Sequence, residues 1–239
     1  MRRPFLLAAL AALGPVAGHA GSLMLAASGE DLATRGFSAP KLTADGWALA
    51  FSRILVTFDH ITAWQTDPPF MADGPAISGA AHAFPGPVTV DLVAADASDR
   101  VILATLEAPE GHFNALSWAM VPARSGDAAG LSLRLEGVAR KDGQEVAFSL
   151  QTTDSVMHFC GEYIGDTRNG LVTPGGTAAL EITLHLDHLF GRADKPADDP
   201  MNLAAPGFGP FAAGGTQTFS LEGLHLGHVG EGHCHVTPL

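Results

Sequence analysis

Two six-residue stretches repeat one chemistry: residues 184–189 read LHLDHL, residues 224–229 read LHLGHV, and the second runs directly into GEGHCH. Imidazole is the commonest metal-ligating side chain, because its neutral form offers a lone pair near pH 7. His185, His188, His225, His228, His233 and His235 therefore form a candidate ligand set, joined by His60 in FDHITAW and His158 in VMHFC. Asp187, inside the first repeat, is a candidate oxygen ligand or, alternatively, the acceptor for the second ring N–H of a metal-bound histidine, fixing its tautomer. His82 and His112 lie in or beside loops with no partner nearby in sequence, and are read as ordinary surface residues.

The elements that carry these residues read as strands. In ALEITLHLDHL, Leu180, Ile182, Leu184 and Leu186 alternate with Glu181, Thr183, His185 and Asp187, and β-branched Ile182 and Thr183 weigh against a helix. On a strand His185 and His188 point to opposite faces, so they share an ion only if His188 lies past the strand end, where the chain turns. The second copy has the same parity. If the two strands are neighbours, His185 sits beside His225 and His188 beside His228, with a third ligand drawn from His60, His158, His233, His235 or Asp187.

The chain opens with MRRPFLLAALAALGPVAGHA, in which Arg2 and Arg3 precede an apolar run and small residues at Gly18 and Ala20. That is the pattern of a secretory signal peptide, residues 1–20, leaving a mature chain of 21–239 in the periplasm. Sec export is the default reading and twin-arginine export the alternative. No segment approaches eighteen uninterrupted apolar residues, so no membrane span is expected. Losing Arg2 and Arg3 moves the formal net charge from −12 to −14, a field that repels nucleic acid and anionic lipid and draws in cations. Outside the reducing cytoplasm, Cys160 and Cys234 are expected to pair, closing a loop of about 75 residues worth about 4 kcal/mol in a chain-entropy treatment. The bridge would hold His233 and His235 beside the strand that carries His158.

Period-two patterns recur along most of the chain. Trp47, Leu49 and Phe51 alternate, and after Ser52 the pattern resumes on the other parity at Ile54, Val56 and Phe58, as at a bulge. Leu131, Leu133 and Leu135 face Val146, Phe148 and Leu150 across RKDGQE, where Asp142-Gly143 signals a tight hairpin. Further strands are expected at 88–92, 101–106, 113–121, 155–163, 178–187 and 216–226, with one or two helical turns near 28–35. Long Gly/Pro loops are expected at 66–87 and 191–215. The expected fold class is all-β: a single antiparallel β-sandwich, Ig-like or transthyretin-like, with one disulfide and a His-rich C-terminal segment.

GWALAFSRILVTF at 46–58 and VTVDLVAADASDRVILATLEAPEGHFNALSWAMV at 88–121 resemble secreted bacterial β-sandwich proteins of the methanobactin-associated periplasmic copper-binding type. The resemblance covers about a third of the chain, rests on structural motifs, and implies a sandwich and a metal. The HLxH repeats are not part of its pattern.

Several imidazoles with a carboxylate suit a divalent transition metal, Zn2+ first on availability and Cu2+ second. Copper(I) prefers thioethers, and the methionines do not cluster; the acidic loop 194–199 lacks EF-hand spacing for calcium. The expected function is metal delivery, buffering or sensing, with a membrane metal transporter or another periplasmic metalloprotein as partner. Two alternatives stand beside it: a non-catalytic adhesion or scaffolding sandwich, and a metal-dependent hydrolase with Glu162, Glu181 or Glu222 as base. No GxSxG, HExxH, GxxxxGK[ST] or GxGxxG motif supports another enzyme class.

Overall fold

The computed structural model describes residues 20–73, 76–161, 170–229, 232 and 234–239. Most of the leader, Glu162 and His233 lie outside the described residues. Within them fifteen strands follow in order: β1 (Gly21–Ser28), β2 (Ala48–Gln65), β3 (Ala80–Ala83), β4 (Val88–Asp91), β5 (Arg100–Ala108), β6 (Gly111–His112), β7 (Ala115–Met120), β8 (Leu133–Lys141), β9 (Gln144–Thr152), β10 (Val156–Cys160), β11 (Leu171–Val172), β12 (Thr177–Leu184), β13 (Gly215–Thr218), β14 (Gly227–Val229) and β15 (Cys234–Pro238). Three short helices interrupt them, α1 (Glu30–Thr34), α2 (Asp187–Phe190) and α3 (Pro200–Ala204). None of these helices is long and apolar enough to cross a membrane.

The strands form a four-stranded sheet in the order β14-β12-β1-β5, a nine-stranded sheet in the order β13-β9-β8-β2-β7-β10-β15 with β3 and β4 also on β2, and the small pair β11-β6. Alternation decides what faces inward. Leu23, Leu25 and Ala27 of β1 and Leu180, Ile182 and Leu184 of β12 join Ile54, Val56, Phe58, Trp118, Leu133, Leu135 and Leu150 of the large sheet in one buried core. Leu25, Ile54 and Leu150 are wholly buried, so truncating any of them to alanine costs about 2–5 kcal/mol.

Two features of β2 and β8–β9 match the sequence pattern closely. Register shifts between Phe51 and Arg53, so Ser52 is the extra residue of a bulge, and this lets both parities of β2 face the core. Lys141 pairs with Gln144 around Asp142 and Gly143, at φ 50° and 81°, the left-handed backbone that a two-residue hairpin turn needs. The Cys160–Cys234 disulfide is formed, across the antiparallel β10–β15 pair.

The expectation of wholly antiparallel sheets is corrected. β1 runs parallel to β12, and β13 parallel to β9, so both larger sheets are mixed. The strand expected at 216–226 is also shorter. The hydroxyl of Ser220 and the N–H of Leu221 bind the Asp154 carboxylate, Gly223 turns the chain at φ 75°, and the ladder resumes only at Gly227. Loop 191–215 is ordered by α3 and by buried Phe208 and Phe211 rather than being featureless.

Candidate metal centre

β12 was expected to run to Asp187 and stops at Leu184. The His185 N–H still donates to the Leu226 carbonyl at 2.8 Å, and then the chain turns: Leu186, Leu189 and Phe190 are at most 1% exposed, and burying all three winds residues 187–190 into α2. His188 thereby lies past the strand end, three residues after His185, and the turn returns it to the same side. On the neighbouring β14, His228 sits opposite Thr183 and Gly227 opposite Leu184.

Three imidazoles meet as a result. Ring centroids are 4.6 Å apart for His185 and His228, 5.3 Å for His188 and His228, and 5.4 Å for His185 and His188. Imidazole nitrogens bound at about 2.0–2.1 Å to a tetrahedral metal put their ring centroids about 5 Å apart, so the spacing has the right scale. Two of the rings are held from behind. His188 donates its Nδ1–H to the backbone carbonyl of His225 at 2.8 Å, which leaves Nε2 as its lone-pair nitrogen. Nδ1 of His185 lies 3.3 Å from Oε2 of Glu30. Carbonyl and carboxylate partners of this kind orient metal-bound histidines and raise their basicity. Burial pushes the His188 imidazole below its usual pKa, toward the neutral, ligating form. The hydrogen bond with His185 holds the Glu30 carboxyl below its usual range. As they stand, no three His, Cys, Asp or Glu side chains among the described residues converge tightly enough to hold a metal ion.

The other expected ligands are placed differently. The pairing of His185 with His225 is corrected: the β12–β14 register puts His225 outside the ladder, where it is exposed and contributes its carbonyl. The expectation that the disulfide gathers His158 with His235 also fails, by parity. On β10–β15 His235 stands opposite Phe159 and His158 opposite Val236, so His235 is exposed on one face while His158 is 2% exposed on the other. His60 is exposed at the second bulge of β2, at φ 51°, on a strand of the other sheet from β12 and β14. Asp187 lines a neighbouring cleft and faces Arg192 at 3.8 Å. Of the candidate hydrolase bases, Glu181 is buried in that cleft and Glu222 is exposed on a turn.

His158 lies flat on Trp118, with centroids 3.7 Å apart and planes within 4°. Its Nδ1 and the Trp118 Nε1 are buried, and neither makes a hydrogen bond of normal geometry. Burial first, then the nearby His228 and His225, push the His158 imidazole down to about 3. It is a neutral ring packed against Gly227, the residue before His228.

Glu30, Trp118 and Gly227 belong to this site, and nothing in the local sequence signals them. Glu30 reaches His185 only because β1 and β12 are parallel neighbours, so the residues following both strands emerge at one edge. No family model matches the chain, and no curated protein or solved structure is significantly similar to it.

Proposed function

We propose that the protein binds a divalent transition metal at His185, His188 and His228, zinc first and copper(II) second, and delivers, buffers or senses it in the periplasm. The observation that carries this reading is the three-ring cluster with Glu30 and the His225 carbonyl behind two of its rings. The terminal torsion of histidine is broad. Rotation about it changes where a ring nitrogen points without moving the backbone. The export assignment rests on the leader-like first twenty residues.

The likeness of 46–58 and 88–121 to secreted copper-binding sandwiches favours the same ligand class. The single core shared by the two larger sheets is consistent with a sandwich of the Ig-like or transthyretin-like type. The test is elemental analysis and zinc and copper(II) titration of tag-free 21–239, beside a variant with His185, His188 and His228 changed to Ala. Stoichiometric binding lost in the variant supports the reading; equal binding by both, or by neither, contradicts it.

A further inference from the structure

Beside the histidines, on the far side of His185, lies a cleft of about 430 Å³ at the C-terminal ends of the parallel strands β1 and β12. It carries the carboxylates of Glu30, Asp31, Asp99, Glu181 and Asp187. Two basic side chains share it, and both are already matched: Lys41 binds Asp31 at 2.7 Å, and Arg192 binds Asp194 through two contacts of 2.9 and 2.6 Å. The rim is tied down by hydrogen bonds, from the Ser28 hydroxyl to the Asp99 carbonyl and from the Thr34 hydroxyl to the Asp99 carboxylate, each at 2.7 Å.

Asp187 is the carboxylate of this cleft whose hydrogen bonding is incomplete. Its side chain is only 6% exposed, its Oδ1 is buried without a hydrogen bond, and its nearest countercharge, Arg192, stands 3.8 Å from Oδ2, beyond hydrogen-bonding distance. A buried acceptor oxygen left without a donor is costly, so such atoms normally have a donating partner. A partner entering from the cleft supplies one.

We infer that the cleft binds a small organic polycation bearing primary ammonium groups, a diamine or polyamine, with Asp187 as a principal anchor. Ammonium donors spaced along a chain can reach carboxylates on different walls. A calcium-like ion needs six to eight oxygens gathered at about 2.3–2.6 Å, and no three of the described acidic groups converge in that way. The volume lies within the range of small-molecule sites.

The experiment is calorimetric titration of 1,4-diaminobutane and of spermidine into metal-free 21–239 at low ionic strength, with calcium chloride as a separate titrant. Saturable amine binding is expected, weakened about tenfold or more by Asp187→Asn, which removes the charge and keeps the shape. Asp99→Asn serves as the second variant, since asparagine tolerates the φ of 59° at that position, and it should weaken binding severalfold. Circular dichroism confirms that each variant folds. His228→Ala should leave amine affinity unchanged, so the cleft and the metal site stand or fall separately. Absence of saturable amine binding, equal affinity in folded Asp187→Asn and Asp99→Asn, or saturation by calcium in place of the amines would overturn the inference.

Discussion

Gly227 presses directly on Trp118: a Cβ added at Gly227 would lie 2.3 Å from the Cη2 atom of the indole. The same Cβ would meet Nε2 of His158 at 2.5 Å. Both rings are buried and stacked, so neither can give way cheaply. The glycine of LHLGHV is therefore what lets β14 approach closely enough to present His228. Gly227→Ala should destabilise the fold by about 1–3 kcal/mol and weaken zinc binding. Urea unfolding and a zinc titration on the same sample check both effects.

His158 sets an acid limit on the metal-free protein. Burial pushes its pKa in the folded protein down to about 3, against about 6.5 for an ordinary imidazole, so between those pH values the unfolded chain holds more protons. The sign follows: stability is full above about pH 6.5 and falls as pH drops below it, at about 1.4 kcal/mol per unit from this one group. His188, also depressed, adds in the same direction. Unfolding free energies measured from pH 7.5 to 4.5 should show this slope, and His158→Gln should flatten it, whatever its cost at neutral pH.

Glu30 stands behind His185 in the proposed metal site. Glu30→Gln keeps a hydrogen-bonding group and removes the charge, and zinc affinity should fall about tenfold or more. The readout that separates orientation from general damage is the melting temperature without metal, which should change little because the Glu30 side chain is 46% exposed.

Cys160–Cys234 closes the turn-rich C-terminal segment onto β10 across a separation of 74 residues. Replacing both cysteines with alanine should cost about 4 kcal/mol. Chemical denaturation of the double variant against the oxidised parent measures it.

What the sequence revealed was local. The bulge at Ser52 showed as a change of parity, the β8–β9 hairpin as Asp142-Gly143, and the disulfide as two cysteines behind a leader-like segment. Period-two alternation says which residues face inward, but nothing about which strand lies alongside or in which direction. The parallel β1–β12 pair, and with it the Glu30–His185 contact, had no signature. For the same reason the repeats suggested His225 beside His185, where the register brings His228 instead. The turn after Leu184 follows from burying Leu189 and Phe190, a tertiary preference that overrides the strand pattern of the residues before it.

His185, His188 and His228 are proposed to act together on one ion. The most direct measurement is the zinc-to-protein ratio of tag-free 21–239 after dialysis, compared with His185→Ala, His188→Ala and His228→Ala taken singly. About one zinc per chain is expected in the parent, with a loss of affinity of tenfold or more in each variant. Undiminished binding in all three variants, or no bound metal in the parent, would contradict it.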